Sequence, residues 1–580
     1  MQNLLNKLTQ LLEQDDRLIE DGKLLKNKIV ELSLSLDIKL IKLLVSDSSI
    51  KKHFFIEIDD VLIFDKIKFQ RFVSNKKFLP DSYTAYKNKI GLTADNEYIS
   101  ESKDVILLWP YKDCILEGGQ NKEDSKRSEI FWNETLAPDE IDRLLSPKAL
   151  TNFKRYDQLG EHEVTDLSLN DSYLIKGNNL LALHTIKKVY EGKVDLIYID
   201  PPFNTESDSF QYNDSFKRSS WLTFMRSRLE IAKDLLSNSG TIYVHVDHNE
   251  GHYLKVLMDE IFEKEFFRNE IVWHYSGWNK KLSNSFEKRH DTIFMYGKSE
   301  SQYFKSYFEK WGSKEEYVKR RKQKLLTDDD GREYVLSDAG GGKRVKMYID
   351  EVLNGGVVVD DVWHIDKLNN SAKEAVGFQT QKTEVLLERI IKTSCPEGGL
   401  VLDFHVGSGT TAAVAHKTGR RFIGIEQMDY IKDITVERLR NVIGKKTQSA
   451  ENMFEILEFD QEGISKTVDW KGGGSFIYCE LNKSNQVFID QIQDAKSSNE
   501  LQIIWGNMQE SAFLSYKLDL RVINENMTSF EALSFEEQQH FLIEILDKNM
   551  LYVPISEIED ESYKVSESDK SLNQLFFNLK

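Results

Sequence analysis

The sequence has little cysteine and no long hydrophobic run. Its 580 residues include 3 cysteines, which lie far apart and lack the spacing of a metal site: Cys114, Cys395 and Cys479. Sparse, unpaired cysteines are typical of a reducing compartment and argue against disulfides and structural zinc. No stretch of about 18 apolar residues occurs, and the N-terminus is not a basic segment followed by an apolar core. We therefore expect a cytoplasmic protein without a membrane span.

Positive charge is also in deficit. The chain has 77 Lys and Arg against 95 Asp and Glu, which gives a net charge of -18 at pH 7. Phosphate contacts need concentrated Lys and Arg, so this net charge argues against indiscriminate binding of nucleic acid, and any DNA site must be a local basic patch. A chain of this length exceeds one hydrophobic core, so we expect about two to four domains.

The spacing of apolar residues divides the chain into regions. Helical spacing over 4–12 and an apolar stretch over 29–45 predict two helices and a helical N-terminal region, 1–150. Beyond it, short apolar strands alternate with amphipathic helices, which predicts an α/β fold with a mostly parallel sheet. The predicted elements are strands 173–175, 194–199, 241–246, 401–402 and 422–425, and helices 180–189, 222–236 and 385–391.

The alternation of strands and helices stops and later resumes, so we expect one sheet domain that is interrupted by an insertion. The first part of this domain covers 151–300 and the second part covers 376–448. Between them lies a charged insert with aromatic residues and glycines, 301–375. The chain ends in a small C-terminal region, 449–580, in which we find no catalytic constellation.

The strand predicted over 194–199 ends at the tetrapeptide Asp200-Pro201-Pro202-Phe203. Ligands of open α/β sheets bind at the carboxyl ends of strands. The prolines fix the turn, so that the Asp200 carboxylate and the Pro201 carbonyl converge as two acceptors on one point. Two such acceptors could localise the lone pair of a base amino group, and Phe203 offers a flat face to a base removed from the duplex. The alternative is that the tetrapeptide simply ends a strand.

A second motif runs from strand 401–402 through a glycine turn into a helix. Its sequence is Asp403-Phe404-His405-Val406-Gly407-Ser408-Gly409-Thr410-Thr411. The two glycines permit a tight turn close to a ligand, and strand 422–425 ends at Glu426, whose carboxylate can bind ribose hydroxyls. A dinucleotide and a nucleoside triphosphate are rival ligands. The loop, however, lacks the third glycine of a dinucleotide site and the lysine of a triphosphate site.

Taken together, the Asp-Pro-Pro-Phe tetrapeptide, the glycine loop and Glu426 resemble the DNA amino-methyltransferases. The match is to their permuted (beta-class) arrangement, in which the catalytic motif precedes the cofactor loop. Segments 240–247, 268–273 and 379–382 resemble the same family in the same order. The helical N-terminal region and residues 541–549 are similar to the modification (Mod) subunit of type III restriction-modification systems.

This resemblance implies a circularly permuted, Rossmann-like methyltransferase fold that uses S-adenosylmethionine and needs no metal. The implied activity is site-specific methylation of adenine N6 in duplex DNA, by base flipping and direct in-line transfer. The resemblance also implies a homodimer and a separate restriction subunit, an ATP-dependent helicase and endonuclease. The N-terminal region and the C-terminal region, 449–580, are the candidates for these dimer or partner contacts. We expect no membrane partner.

Functional residues can be carried over by position. The implied catalytic residues are Asp200, Pro201, Pro202 and Phe203. The implied cofactor residues are Gln381, Lys382, Asp403, Phe404, Gly407, Ser408, Gly409, Thr410 and Glu426. The chain departs from the family's pattern at His405, Val406 and Thr383, which predicts a reshaped pocket with every polar anchor kept. We expect His405 to pack or to form hydrogen bonds rather than to act as a general base.

The insert holds the densest basic cluster of this acidic chain. Its basic residues are Lys314, Lys319, Arg320, Arg321, Lys322, Lys324, Lys343 and Arg344, with aromatic residues interleaved. A solvated helix face would explain any one of them. The clustering and the position between the two motifs favour contact with DNA, so we predict that the insert recognises the target site.

Three other functions are alternatives to methylation of adenine N6. Methylation at C5 of cytosine needs a thiolate, usually in a Pro-Cys pair, whereas Cys395-Pro396 stands in the reverse order. Methylation at N4 of cytosine poses the same chemical problem as adenine N6, and only the resemblance implies that aspartate goes with adenine. A non-catalytic DNA-specificity subunit is the third alternative, against which intact Asp200 and Glu426 argue.

Overall fold

The computed structural model divides into two compact units, Met1–Trp109 and Pro110–Lys580. It describes residues 2–20, 23–58, 61–73, 93–94, 97–98, 114–117, 130–133, 143–204, 218–277, 283–338, 340, 343–369, 371–448, 455–514 and 530–579. Within these ranges, no helix is both long enough and apolar enough to cross a lipid bilayer.

The first unit is mainly helical, as its leucine spacing predicts. Its elements are helices Gln2–Leu12, Lys26–Leu34, Ile38–Ser46, Ser48–Phe54 and Lys66–Val73, and strand pairs Phe55–Ile58 with Val61–Phe64 and Thr93–Ala94 with Glu97–Tyr98. The single helix predicted over 29–45 is wrong, because the chain forms two. It turns at Leu36, whose φ is 55°, and the Asp37 side chain accepts a hydrogen bond from the Leu40 amide at 2.9 Å to begin the second helix.

The second unit is built on an 11-stranded sheet. In chain order its strands are β1 (Leu150–Asp157), β2 (Gly160–Glu163), β3 (Tyr173–Lys176), β4 (Val194–Ile199), β5 (Leu236–Val246), β6 (Phe267–His274), β7 (His290–Gly297), β8 (Val362–His364), β9 (Leu400–Asp403), β10 (Arg421–Glu426) and β11 (Phe476–Leu481). In space the order is β2-β1-β11-β3-β10-β9-β4-β5-β7-β6-β8. The run from β11 to β5 is parallel, and antiparallel pairing with β1 and β7 flanks it. The predicted α/β fold is confirmed.

The direction of the chain across the sheet changes between β4 and β9. After β4 the chain continues to β5 on one side, whereas after β9 it continues to β10 on the other. Ligands of open α/β sheets bind at such a switch point. Asp200 follows β4 and Asp403 ends β9, so the two predicted motifs meet there. The catalytic strand precedes the cofactor strand, which confirms the permuted order.

Helices cover both faces of this sheet. They are α1 (Asn179–Tyr190), α2 (Arg218–Leu235), α3 (Gly251–Phe262), α4 (Glu384–Ser394), α5 (Thr410–Lys417), α6 (Glu437–Ile443) and α7 (Glu567–Phe577). Ile197 and Ile199 of β4 pack with α1, α2, α3 and α7, whereas Leu196 and Tyr198 pack with α4, α5 and α6. Burial on both faces is why β4 reads as one continuous apolar run.

Segments from the end of the chain complete the sheet domain. Strand β11 pairs in parallel with β3, and the Asn573 side chain of α7 bonds both the amide and the carbonyl of Leu150 at 2.7 Å. The other elements beyond the cofactor loop are the strand pair Lys445–Gln448 with Glu455–Glu458 and a cluster of helices, Gln486–Asp494, Ser498–Ser511 and Phe535–Glu544. These three helices share a core of their own.

The insert forms a small lobe that leaves and rejoins the body through a two-stranded neck, Phe308–Glu309 paired with Val357–Val358. Its other elements are helices Lys314–Arg321 and Ile349–Gly355 and a three-stranded sheet, Leu326–Thr327, Glu333–Asp338 and Arg344–Tyr348. Trp311, Tyr317, Val335 and Ile349 form the core of the lobe. An ion pair between Glu309 of the neck and Arg389 of α4 ties it to the methyltransferase body.

Candidate active site

An open cavity of about 740 Å³ lies at the switch point, at the carboxyl ends of β4, β9 and β10. The predicted residues in its walls are Asp200, Pro202, Lys382, Asp403, Gly407, Ser408, Thr410 and Glu426. The other predicted residues lie beside or beneath the walls: Pro201, Phe203, Gln381, Phe404 and Gly409.

The two oxygens of Asp200 have different surroundings. Oδ2 accepts a hydrogen bond from Nζ of Lys382, which also lies 5.1 Å from the centre of the Phe203 ring. Oδ1 is buried and has no hydrogen-bond partner among the described residues. A buried acceptor without a donor costs free energy. The Oδ1 atom is therefore an acceptor whose hydrogen-bonding capacity is unused in this structure.

A tryptophan of α2 fixes the proline turn. Nε1 of Trp221 donates to the carbonyl oxygen of Pro202 at 2.8 Å, and the indole is fully buried. Beyond the turn, the Asn204 side chain donates to Oε1 of Glu250 at 2.8 Å. Sequence reasoning missed both partners. Trp221 lies near the start of an amphipathic helix whose apolar stripe is fully explained by core packing, so the sequence carried no signal for its role.

Asp403 is held at the end of β9 by its own loop. Oδ2 accepts a hydrogen bond from Oγ1 of Thr411 at 2.6 Å, and Oδ1 accepts one from the His405 amide at 2.9 Å. Burial nevertheless raises the pKa of this carboxyl to about 7, because desolvation of the charged form outweighs these two bonds. The side chain therefore serves as an acceptor that shapes the loop.

The glycine loop has the backbone geometry that its residues predict. Gly407 and Gly409 have φ values of 48° and 80°, and a Cβ atom on Gly409 would lie 2.8 Å from Cγ2 of Thr435. Oε2 of Glu426 accepts a hydrogen bond from the Gly407 amide at 3.2 Å, and Oε1 accepts one from the Met428 amide at 3.1 Å. Burial raises the pKa of Glu426. This carboxylate links the end of β10 to the loop.

The segment before α4 supplies the opposite wall. Lys382 points its ammonium at Asp200, while its carbonyl accepts a hydrogen bond from Oγ1 of Thr410 at 3.2 Å. The Gln381 side chain is engaged with the backbone instead, since Nε2 donates to the Glu374 carbonyl at 2.9 Å. Thr383, which stands where the family usually has proline, caps α4 by accepting from the Val385 amide at 3.3 Å. Gln381 thus braces the wall from behind.

His405 and Val406 both line the cavity. Burial, together with the charge of Arg228, lowers the pKa of His405 to about 3, so the ring is neutral at physiological pH. Its ring centre lies 5.2 Å from that of Phe404 and 5.9 Å from that of Phe224. The packing that was expected of this histidine is present.

A buried ion cluster lies behind the loop. Glu384 of α4 bonds Lys417 at 2.8 Å and Arg438 at 2.9 Å, and all three residues are buried. Arg438 also donates to Oγ1 of Thr410 at 2.8 Å, and so reaches the cavity wall. Removing one partner of a buried pair leaves an uncompensated charge, which makes this cluster a rigid support. Sequence reasoning missed it, because its members are dispersed along the chain.

The basic residues of the insert lie at the surface of the lobe. Those that are exposed are Lys319, Arg320, Arg321, Lys322, Lys324, Lys343 and Arg344. Lys314 is half-buried and forms an ion pair with Glu333 at 2.6 Å, so its charge is already neutralised. Arg320 lies 5.6 Å from the Trp311 ring and 3.8 Å from Asp360.

Two family models match this chain. The model described as DNA methylase covers residues 194–437, which include both motifs, and the model described as type III restriction/modification enzyme methylation subunit covers residues 37–92. The sheet and the matched segment together define the class, an S-adenosylmethionine-dependent DNA methyltransferase.

Relatives narrow the class. A probable HindVI Mod subunit of Haemophilus influenzae is 32% identical, over 96% of this chain and 95% of the relative. The EcoP15I Mod subunit of Escherichia coli is 27% identical, over 55% of this chain and 68% of the relative. The chain therefore belongs to the Mod subunits of type III restriction-modification enzymes. It is an adenine-specific DNA methyltransferase that uses S-adenosylmethionine.

Solved structures align with part of this chain. The M1.HpyAVI complex with S-adenosylmethionine is 17% identical and aligns with a TM-score of 0.30, over 46% of this chain and 98% of its own. The cytosine-N4-specific PvuII DNA methyltransferase is 12% identical and gives 0.31, over 46% and 85%. With scores this low, the family assignment rests on the sequence relatives.

Proposed function

We propose that the cavity holds S-adenosylmethionine beside a flipped adenine, and that Asp200 binds the amino group which is methylated. The observation that carries this proposal is the position of Asp200 Oδ1, a buried acceptor without a partner among the described residues, in the wall that also contains the glycine loop. A ligand bound at the loop and a base bound at Asp200 would then be neighbours.

The tetrapeptide would hold the base from two sides. Asp200 Oδ1 accepts one amino N–H, and the Pro201 carbonyl accepts the other, since the Pro202 carbonyl is already bound by Trp221. Two acceptors on the amino group draw its lone pair out of the ring and onto nitrogen, which makes the nitrogen a better nucleophile. Phe203 provides the stacking face, as enzymes that act on flipped bases require.

The glycine loop and its neighbours would hold the cofactor. The Glu426 carboxylate accepts hydrogen bonds from the ribose hydroxyls of the cofactor. Gly407, Ser408 and Thr410 let backbone and hydroxyl groups of the loop approach the cofactor closely, and Asp403 fixes the start of the loop. S-adenosylmethionine supplies an activated methyl group, so the protein has mainly to orient the amino nitrogen in line with it. Gln381 and Phe404 support the cavity from outside.

Three further roles complete the proposal. The exposed basic residues of the insert bind DNA phosphates and read the target site, because they concentrate positive charge on an otherwise acidic chain.

The chain forms a homodimer, as its similarity to Mod subunits suggests, and light scattering of the purified protein measures this. The same similarity suggests a separate ATP-dependent restriction subunit, which co-purification of the two chains would detect.

The decisive experiment is to incubate the protein with DNA and labelled S-adenosylmethionine and to identify the methylated nucleoside. We expect N6-methyladenine from the wild type and none from Asp200→Asn. The matched control is Asp234→Asn, which removes a partly exposed carboxylate of α2 that pairs with Lys187, and it should keep full activity. N4-methylcytosine as the product would instead establish the alternative target, and no product would leave a DNA-specificity subunit.

A further inference from the structure

A histidine lies directly behind the catalytic aspartate. His245 of β5 is fully buried, and its Nδ1 atom lies 2.9 Å from the Tyr198 hydroxyl and 3.9 Å from Oδ1 of Asp200. Its Nε2 atom lies 3.5 Å from Oδ2 of Asp291 on β7. Both ring nitrogens therefore face polar groups, and one of these groups is the oxygen assigned to the target base.

Asp291 is held as an anion. Burial opposes its ionisation, but His245 and the charges of Lys367 and Lys382 outweigh burial and keep its pKa well below the usual range. Its Oδ1 atom accepts a hydrogen bond from the Tyr275 hydroxyl at 3.0 Å, and Lys367 lies 3.5 Å from Oδ2. A fixed negative charge therefore stands on the far side of the imidazole from Asp200.

The remaining neighbours of the imidazole are aromatic or already paired. The His245 ring centre lies 5.5 Å from that of Phe203 and 5.2 Å from that of Trp273. Asp247, two residues further on, bonds the Asn249 amide at 2.8 Å. The Lys382 ammonium is engaged with Oδ2 of Asp200. Within the described residues, no other charged group pairs with the ring.

Methylation of an amino group releases a proton that needs an acceptor. As the N6–C bond forms, the S–C bond breaks and sulfur keeps the bonding pair, while the amino nitrogen must shed one proton. Asp200 Oδ1, which accepts an amino N–H under the proposed function, is the first atom to receive it. The oxygen of a protonated carboxyl is a much weaker acceptor for the amino group of the next base than a carboxylate oxygen, so the proton has to move on.

We infer that His245 is a positioning residue that orients Asp200 and takes this proton from it. Nδ1 of neutral His245 accepts the proton from Oδ1, the Tyr198 hydroxyl oxygen becomes the acceptor of the new N–H, and Asp291 balances the imidazolium charge. Catalytic hydrogen bonds are often long before substrate binds, and the 3.9 Å separation shortens when the base turns the carboxyl. The proton leaves to solvent after the product departs. This role rests on the proposed function of Asp200.

Pure packing does not explain the site. Among the described residues, Nε2 of His245 is buried without a hydrogen bond of normal geometry, which is costly for a group that an apolar side chain could replace. The histidine lies on β5, and its partners lie on or directly after β4 and on β7, so that groups from three strands meet at one point. An ionisable group that is kept here at a cost to stability is best explained by use.

The test is the pH dependence of single-turnover methylation on preformed complexes with DNA. In the wild type the rate falls at acid pH, because an imidazole that is already protonated cannot accept the proton. His245→Asn keeps a polar atom near the position of Nδ1, but the asparagine cannot take up a proton. This variant should lower the plateau of the rate above the acid range by about 10- to 100-fold and abolish the fall in rate at acid pH, the acid limb of the profile. Cofactor affinity, measured by calorimetry, should change less than about threefold.

Two further variants keep the test decisive. Asp291→Asn retains the histidine but removes its counter-charge, so the plateau should fall and the acid limb should move to lower pH. His184→Asn changes a half-buried histidine of α1, outside both motifs, and should alter neither the plateau rate nor the acid limb. If His245→Asn fails to fold, the Asp291→Asn profile decides the matter.

Several results would overturn the inference. One is an acid limb that is unchanged in His245→Asn or in Asp291→Asn. Another is a full plateau rate in His245→Asn. A third is a loss of cofactor affinity as large as the loss of rate, since that result would indicate a structural role. Failure of the wild type to form N6-methyladenine is a different result, because it contradicts the proposed function of Asp200 itself.

Discussion

Lys382 and Asp200 form a hydrogen-bonded ion pair, although 182 positions separate them in the chain. The ammonium also lies over the Phe203 ring at 5.1 Å. A base that stacks on this ring and binds Asp200 through its amino group would enter the same space. We therefore propose that Lys382 serves the target site as well as the cofactor site, and that it holds the Asp200 carboxylate in place while no base is bound.

Replacing Lys382 with methionine should slow methyl transfer more than it weakens cofactor binding. Asp200 would lose the charge-assisted bond that fixes its side chain, and we expect a loss of about tenfold in single-turnover rate, or ~1.4 kcal/mol in the barrier. Rapid-quench kinetics at saturating cofactor measure the rate, and calorimetry measures affinity. Weakened affinity with an unchanged rate would show that the lysine serves the cofactor alone.

Trp221→Phe should loosen the proline turn. The phenyl ring keeps most of the packing but leaves the Pro202 carbonyl without its donor, a loss of roughly 1–3 kcal/mol. We expect lower stability and a slower methyl transfer. Trp470→Phe is a matched control, because Nε1 of Trp470 donates to the Val442 carbonyl at the same distance of 2.8 Å. Trp470→Phe should lower the stability by a similar amount but leave the rate of methyl transfer unchanged. If both variants lowered the rate equally, Trp221 would have no special role in the site.

Asp403 should make the protein less stable as pH rises. Its pKa is raised from an ordinary value of 3.8 to about 7, so between these values the folded state holds a proton that the unfolded state releases. Stability conferred by the neutral acid is full below the lower value and is lost as pH approaches 7, by up to roughly 4 kcal/mol. Urea unfolding across this window measures the slope, and Asp403→Asn should flatten it. An identical slope in the variant would contradict the assignment.

Charge reversal in the insert should weaken DNA binding without touching the cofactor site. Arg320→Glu with Arg321→Glu should lower affinity for DNA and reduce the dependence of log K on log salt by about 1 for each phosphate that is no longer neutralised. Fluorescence anisotropy over a salt series measures both. Lys466→Glu with Lys496→Glu matches the change in net charge at exposed positions outside the insert. Equal effects of the two pairs would remove the insert as the DNA site.

Much of the fold could be predicted from sequence because its signals are local. The apolar run of β4 ends at Asp200, and the glycine loop follows Asp403, within single stretches of chain. The break at Leu36 was not visible, because the apolar spacing continues through it and only the positive φ and the Asp37 cap end the helix.

The parts that escaped prediction depend on partners far apart in sequence. Strand β11 looks like any apolar strand, and only its pairing with β3 shows that it belongs to the sheet. A resemblance transfers the position of Gln381 but not the direction of its side chain, which bonds the Glu374 carbonyl. His245 lies in segment 240–247, which resembles the methyltransferase family without indicating a role for the histidine. Asp291 belongs to no motif, and only the pairing of β5 with β7 places it near His245.

The neck at Phe308–Glu309 and Val357–Val358 brings the two ends of the insert side by side. A lobe attached in this way can be exchanged for another as a single cassette. The junction requires only two short strands that pair and a carboxylate that forms the ion pair with Arg389. Because we propose that this lobe reads the target site, recombination between related genes would give the enzyme a new target sequence in one event. The methylating machinery would be inherited unchanged.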